Sequence, residues 1–110
     1  MNPTDDLIVK FDELDWEIPS KGIRQKTLRK NAQQVRLLEF SDQLAEKEWC
    51  TNGHIGYVLE GELSVDFKGK LIHYTTGDGL WIMPGDKYAH KPIIERGKKA
   101  LLVLFEDNLD

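Results

Sequence analysis

The segment His54-Ile-Gly-Tyr-Val-Leu-Glu-Gly-Glu-Leu-Ser-Val-Asp-Phe67 decides the fold class. In its second half Leu63, Val65 and Phe67 alternate with Glu62, Ser64 and Asp66, the period of a strand with one face in a core and the other in water. Its first half, up to Leu59, is rich in β-branched and aromatic residues that suit a pleated surface. Gly61, between Glu60 and Glu62, permits the positive φ of a turn, so the sequence predicts two strands that meet there.

The same period extends outward in both directions. Phe67-Lys-Gly-Lys-Leu71 reads as a tight hairpin into Leu71-Ile-His-Tyr74, and Val35-Arg-Leu-Leu-Glu-Phe40, Leu80-Trp-Ile-Met83 and Ala100-Leu-Leu-Val-Leu-Phe105 are further short strands. Glycine turns separate them, at Lys68-Gly69, Thr76-Gly77-Asp78-Gly79, Pro84-Gly85 and Arg96-Gly97. Strands at this spacing indicate an all-β sandwich or barrel. The last strand is apolar at every position, which predicts cover on both faces by a second sheet, a partner subunit or the N-terminal segment. Core packing is expected for Trp81 and Met83, and a solvent-facing position for His73.

Residues 1–31 are predicted to be an N-terminal extension with edge strand or strands packing on a barrel built from residues 32–110. Leu7-Ile-Val-Lys-Phe11 is a candidate edge strand, and Leu14-Asp-Trp-Glu-Ile-Pro19 an extended segment in which Pro19 stops pairing. Asp42-Gln-Leu-Ala-Glu-Lys-Glu48 is too short for a stable helix and is read as a loop or single turn.

Composition narrows the function. The chain has 110 residues, 40% hydrophobic and 31% charged, enough for one core without disulfides. A formal net charge of −4 argues against nucleic acid as a partner. Arg24, Lys26, Arg29 and Lys30 alternate with Ile23, Gln25 and Leu28, as on the solvated face of an edge strand. No apolar run reaches the roughly 20 residues that span a bilayer, and Met1-Asn-Pro-Thr-Asp-Asp6 is unlike a signal peptide. The expected location is therefore cytoplasmic, without membrane association. Cys50 is the only cysteine, so it is a buried thiol, a ligand or a nucleophile. Ser-His-Asp spacing, a phosphate-cradling glycine loop before a helix and a Cys-x-x-Cys pair are all missing from the sequence.

Tyr57-Val-Leu-Glu-Gly-Glu-Leu63, then Gly77-Asp-Gly-Leu-Trp-Ile-Met-Pro-Gly85, then His90 together resemble the two motifs of the cupin superfamily. The resemblance covers residues 32–105. It implies an all-β, single-domain cupin-type jelly-roll β-barrel with a central metal or ligand pocket, commonly as a homodimer.

In that family the first motif carries two histidines one residue apart, then three or four residues, then a glutamate shortly before the Tyr-Val-Leu-Glu-Gly segment. Here His54 stands in the place of the glutamate. The three-residue spacing puts Glu48 and Cys50 where the histidines would be, while the four-residue spacing puts Lys47 and Trp49 there and leaves no site. His90 matches the second-motif histidine. The set implied by the resemblance is thus Glu48, Cys50, His54 and His90. Period two would put Glu48 and Cys50 on one face, with Thr51-Asn52-Gly53 turning His54 back toward them.

Imidazoles with a thiolate suit a divalent transition metal, namely zinc, iron or copper. As an enzyme, such a barrel would perform dioxygen insertion, isomerisation or decarboxylation on a small polar metabolite, with Glu48 as fourth ligand or as catalytic general base. Tyr57 and Tyr88 are candidates to contact a small-molecule ligand, with Trp49 also near the pocket. The alternatives are a metal-free ligand-binding or sensing module and a structural dimer.

Overall fold

In the computed structural model, which describes residues 7–45 and 48–107, the alternating segments form eight strands and no α-helix among the described residues. They are β1 (Glu17–Ser20), β2 (Ile23–Lys30), β3 (Gln33–Ser41), β4 (His54–Phe67), β5 (Lys70–Thr75), β6 (Gly79–Ile82), β7 (Lys91–Ile93) and β8 (Lys99–Asp107). All pairings are antiparallel, in the order β1-β2-β3-β8-β4-β5, with β6 and β7 also on β4. This is the all-β, curled-sheet architecture expected.

The two strands predicted on either side of Gly61 are one. β4 runs through it for 14 residues. Up to Gly61 it pairs with β8 and β6; beyond it, with β5 and β7. The pairing with β8 shifts register between Val58 and Glu60, and Gly61 has φ +81°. A Cβ there would stand 2.0 Å from the Lys99 carbonyl oxygen. Glycine thus bends the strand from one sheet to the other by a bulge instead of reversing it.

Other segments also depart from expectation. Leu7-Ile-Val-Lys-Phe11 is not a strand. A 3₁₀ turn at Phe11–Glu13 follows it, and Leu7, Ile8 and Val9 are exposed. β1 provides the sheet edge instead and includes Pro19 at an irregularity in its register with β2, where a missing N–H is tolerated. β2 is therefore an inner strand rather than an edge. Its basic residues find partners: Arg24 pairs with Glu39 at 3.0 Å and lies 4.2 Å over the Trp16 ring, and Lys26 donates to the Phe11 carbonyl at 2.8 Å. The Asn31-Ala32 turn, with φ of +50° and +62°, joins β2 to β3 where the extension was expected to meet the barrel.

The interior is built in rows across β2, β3, β8 and β4. Ile23, Phe40 and Ala100 form one row. Gln25, Leu38, Leu102 and Val58 form the next, and Thr27, Arg36, Leu104 and Gly56 the third. Leu38, Val58, Leu102 and Leu104 are buried and join Leu63, Val65, Leu80 and Ile82 in one core. A fourth row begins with Gln34 opposite Glu106, beyond the last apolar layer.

The opposite parity faces outward. Trp81 is 74% exposed and Met83 49% exposed, so neither is in the core. Their inward-facing neighbours Leu80 and Ile82 take that place, as alternation demands. Phe105, Ile55, Tyr57 and Leu59 are also exposed on strands β8 and β4. Among the described residues only one face of β8 is fully covered: Ala100, Leu102 and Leu104 are buried, whereas Leu101 and Val103 are half-buried. Among the described residues no helix is long and apolar enough to cross a membrane.

Candidate metal centre

Cys50 and His90 meet through their backbones. Each N–H donates to the other's carbonyl, at 2.9 and 3.0 Å, an isolated antiparallel bridge outside the main strands. That bridge places both side chains at the end of the barrel where β4 begins. The chain from Cys50 to His54 is held tightly against the second motif. The Gly85 N–H donates to the Thr51 carbonyl at 2.9 Å, and a Cβ on Gly53 would lie 2.9 Å from the Pro84 ring. The first residue of β4, His54, returns its ring to the bridge.

The ligand atoms of Cys50, His54 and His90 all lie within 4.8 Å of one another. Cys50 Sγ is 3.7 Å from His54 Nε2, and the two imidazoles pack edge to face with centroids 5.1 Å apart. His90 is buried, and its Nδ1 is 2.8 Å from the Tyr88 carbonyl. Phe67 packs against the same ring at 5.7 Å.

Behind His54 stands a carboxylate that the sequence reading missed. His54 Nδ1 is 2.6 Å from Glu106 Oε2, and the Glu106 side chain is only 6% exposed. Arg36 clamps it in a fork: Nε to Oε1 at 2.6 Å and a terminal N–H to Oε2 at 3.0 Å. Gln34 donates to Oε1 at 2.7 Å, and the other arm of Arg36 donates to Gln25 Oε1 at 3.0 Å. The signal for these residues was parity. Gln34 and Arg36 share the inward face of Leu38 and Phe40, and Glu106 that of Leu102 and Leu104.

These contacts set the charges. Hydrogen bonds from His54, then from His90, draw the Cys50 thiol down from 9.0 to about 6, against burial. Burial works against the His54 imidazolium, but hydrogen bonds to Cys50 and Glu106 raise it from 6.5 to about 9. Burial likewise opposes ionisation of Glu106, and His54 with Arg36 holds it at about 2, below its ordinary 4.5. These shifts all favour the charged forms: the thiolate of Cys50, the imidazolium of His54 and the carboxylate of Glu106.

Three of the four residues implied by the resemblance come together, and Glu48 does not. It is exposed and stands outside the cluster, because the segment before Cys50 is irregular and strand periodicity does not hold there. Trp49 is partly exposed, with the Lys91 ammonium 4.4 Å over its ring. Tyr57 lies on the outward face of β4, its hydroxyl near Gly77. Tyr88 is 37% exposed, and its contact with the cluster is its carbonyl.

The donor set fits a transition metal. In a tetrahedral site with bonds of about 2.3 Å to sulfur and about 2.0 Å to nitrogen, the two ligand atoms stand about 3.5 Å apart, near the 3.7 Å Cys50–His54 separation. Three protein ligands would leave a position for water or substrate, the pattern of a catalytic rather than a structural site. An open cleft of about 980 Å³ reaches His54 and Glu106 between Arg36, Trp81, Met83 and Phe105.

No family model matches the chain, and no curated protein matches it. Solved structures do match in fold. An RmlC-like cupin from Shewanella frigidimarina NCIMB 400 is 16% identical, with 94% of this chain and 92% of that one covered and a TM-score of 0.71. The polyketide cyclase RemF from Streptomyces resistomycificus is also 16% identical, with 91% and 78% covered and a TM-score of 0.74. A structure of Fe(II)-HppE with the alternative substrate (S)-1-HPP is 15% identical, with 90% and 58% covered and a TM-score of 0.69. The chain has a cupin-like fold, and the metal-competent cluster sits at one end of its interior.

Proposed function

We propose that this protein is a metal-binding cupin-like barrel in which Cys50, His54 and His90 hold one divalent transition ion, zinc, iron or copper. We further propose that it is an enzyme acting on a small polar metabolite. The observation that carries the reading is the convergence of a thiol and two imidazoles, from separate segments, with ligand atoms within 4.8 Å. That Fe(II) is present in HppE, on a similar fold, supports a metal-holding role for such a barrel. A bound ion would supply Lewis acidity toward a carbonyl oxygen or a bound water. The chain's own residues supply the rest: Arg36 and Gln34 hold Glu106, Glu106 holds His54, and an open cleft reaches the His54–Glu106 side of the cluster.

Elemental analysis of protein purified without added metal or chelator tests this reading. About one equivalent of a transition metal is expected, lost in both His54→Ala and His90→Ala. Folded wild-type protein that is metal-free and takes up no zinc, iron or copper refutes it.

A second reading, a metal-free ligand-binding module, is favoured by one observation. Thr27 Oγ1 is buried without a hydrogen-bond partner on the inward face opposite Arg36, a polar group that a small bound molecule could satisfy. Thermal stabilisation by a small acid or sugar in chelator-treated protein would support it.

We also propose a homodimer, in which a second copy covers the outer apolar face at Ile55, Tyr57, Trp81 and Phe105. A cytoplasmic location completes the proposal, supported by a free thiol that a reducing compartment preserves.

A further inference from the structure

The hydrogen bonds around Glu106 determine more than its charge. Its two oxygens receive four contacts: Arg36 Nε and Gln34 Nε2 on Oε1, Arg36's terminal nitrogen and His54 Nδ1 on Oε2. Guanidinium and amide nitrogens can only donate, so the carboxylate is locked as an acceptor on every side. Facing it at 2.6 Å, His54 Nδ1 must carry a proton. When the ring is neutral, as a metal ligand must be, Nε2 is then the atom left to offer a lone pair, and it is the one that faces Cys50 Sγ.

The other histidine is fixed by the same logic through a different group. His90 Nδ1 lies 2.8 Å from the Tyr88 carbonyl, which only accepts. Its Nδ1 is therefore also protonated and its Nε2 is the ligating nitrogen. Two unrelated acceptors, one side chain and one backbone, present the same atom of both rings to the space beside Cys50.

We propose that Glu106 is a positioning residue for metal binding: clamped by Arg36 and Gln34, it holds the His54 ring with Nδ1 protonated and turns Nε2 toward Cys50 and His90 as a ligand atom. This inference rests on the metal-binding reading above and adds to it a residue that touches no metal. Carboxylates behind ligating histidines fix ring orientation and raise ligand basicity, and their loss weakens metal affinity by about 10- to 100-fold.

The clamp makes the consequence of Glu106→Gln specific. In that variant Arg36 Nε and Gln34 still require an acceptor at the Oε1 position, so the amide oxygen settles there. The amide nitrogen then occupies the Oε2 position, where it loses the contact from the Arg36 terminal N–H and offers His54 Nδ1 a donor in place of an acceptor. Neutral His54 is forced to carry its proton on Nε2, the atom the metal needs. An isosteric change therefore inverts a tautomer.

Two measurements test this. The first is nitrogen-15 NMR of His54 in metal-free protein, at a pH above its titration. The proton is expected on Nδ1 in the wild type and on Nε2 in Glu106→Gln; a wild-type proton on Nε2 overturns the proposal without any variant having to fold. The second is zinc titration by competition with a chelating dye. Glu106→Gln is expected to bind about 10- to 100-fold more weakly than wild type. Equal affinity with wild-type zinc binding intact overturns this inference alone, whereas wild-type protein that binds no zinc, iron or copper overturns the metal-binding reading and this one with it.

Discussion

The two ends of the barrel interior are made by the same strands and behave as different materials. At one end β3, β8 and β4 contribute Leu38, Phe40, Ala100, Leu102 and Val58, and the interior is dry. At the other, the same faces of the same strands contribute Gln34, Arg36, Glu106 and His54, and each polar group has a partner. The first end is held by area removed from water; the second is held by a network in which every charge depends on its neighbour. Strand alternation dictates which residues point inward, but it does not dictate what they are. Where inward positions turn polar at the end of a strand, a core becomes a site.

The contrast is broken most severely by removing one member of the buried ion pair. Arg36→Met leaves the buried Glu106 without its guanidinium fork, held by Gln34 and His54 alone, and a loss of about 3–5 kcal/mol in urea unfolding is expected. At the dry end Leu102→Ala, which empties a 1% exposed position, should cost about 2–5 kcal/mol through lost contacts and a cavity. The two variants separate in a second measurement: Leu102→Ala should keep wild-type zinc affinity, and Arg36→Met should not. If both keep it, the polar end is packing and nothing more.

Acid should act chiefly on the polar end, through Glu106. Glu106 is held at about 2 in the folded chain against an ordinary 4.5, so its contribution to stability is present above pH 4.5 and is lost as pH falls toward 2. Denaturant midpoints of wild type should decline over that window, and Glu106→Gln should show a shallower decline. At higher pH the cluster compensates. The stability from His54 is complete below 6.5 and fades as pH rises through 9, while that from Cys50 is absent below 6 and complete above 9. Metal-free protein should therefore change little in stability across that range, whereas Cys50→Ser should lose stability as pH rises, because only the His54 contribution remains.

The smallest effect belongs to the outer face. Trp81→Glu places a charge on a residue that is 74% exposed and should leave unfolding free energy per chain within about 0.5 kcal/mol. It should shift the sedimentation coefficient from dimer to monomer. A wild-type monomer at micromolar concentration would remove the proposed second copy.

Much of this molecule was legible in its sequence. The alternation in Glu62–Phe67, the apolar last strand and the glycine turns point to an all-β barrel, and His54, His90 and Cys50, singled out by resemblance to motif positions, lie side by side. Gly61 was misread because positive φ is common to a hairpin turn and a bulge, and only pairing partners tell them apart. Trp81 was placed inside because aromatic residues are usually buried, although the parity of Leu80 and Ile82 already put it outside. Glu48 lies apart from the three because residues 48–49 are not in a strand, so period-two spacing does not apply to them. Glu106 and Arg36 are 70 residues apart, and no local pattern joins them; the register of β3 with β8 does.

Cobalt(II) titration of chelator-treated protein tests the central claim most directly, because thiolate ligation to cobalt produces a near-ultraviolet charge-transfer band and a low-symmetry site produces visible absorption. Saturation at one cobalt per chain is expected, with both signals present in wild type, the charge-transfer band lost in Cys50→Ser and all absorption lost in His54→Ala combined with His90→Ala. A folded wild-type protein that titrates with no charge-transfer band would contradict the assignment of Cys50, His54 and His90 as one metal centre.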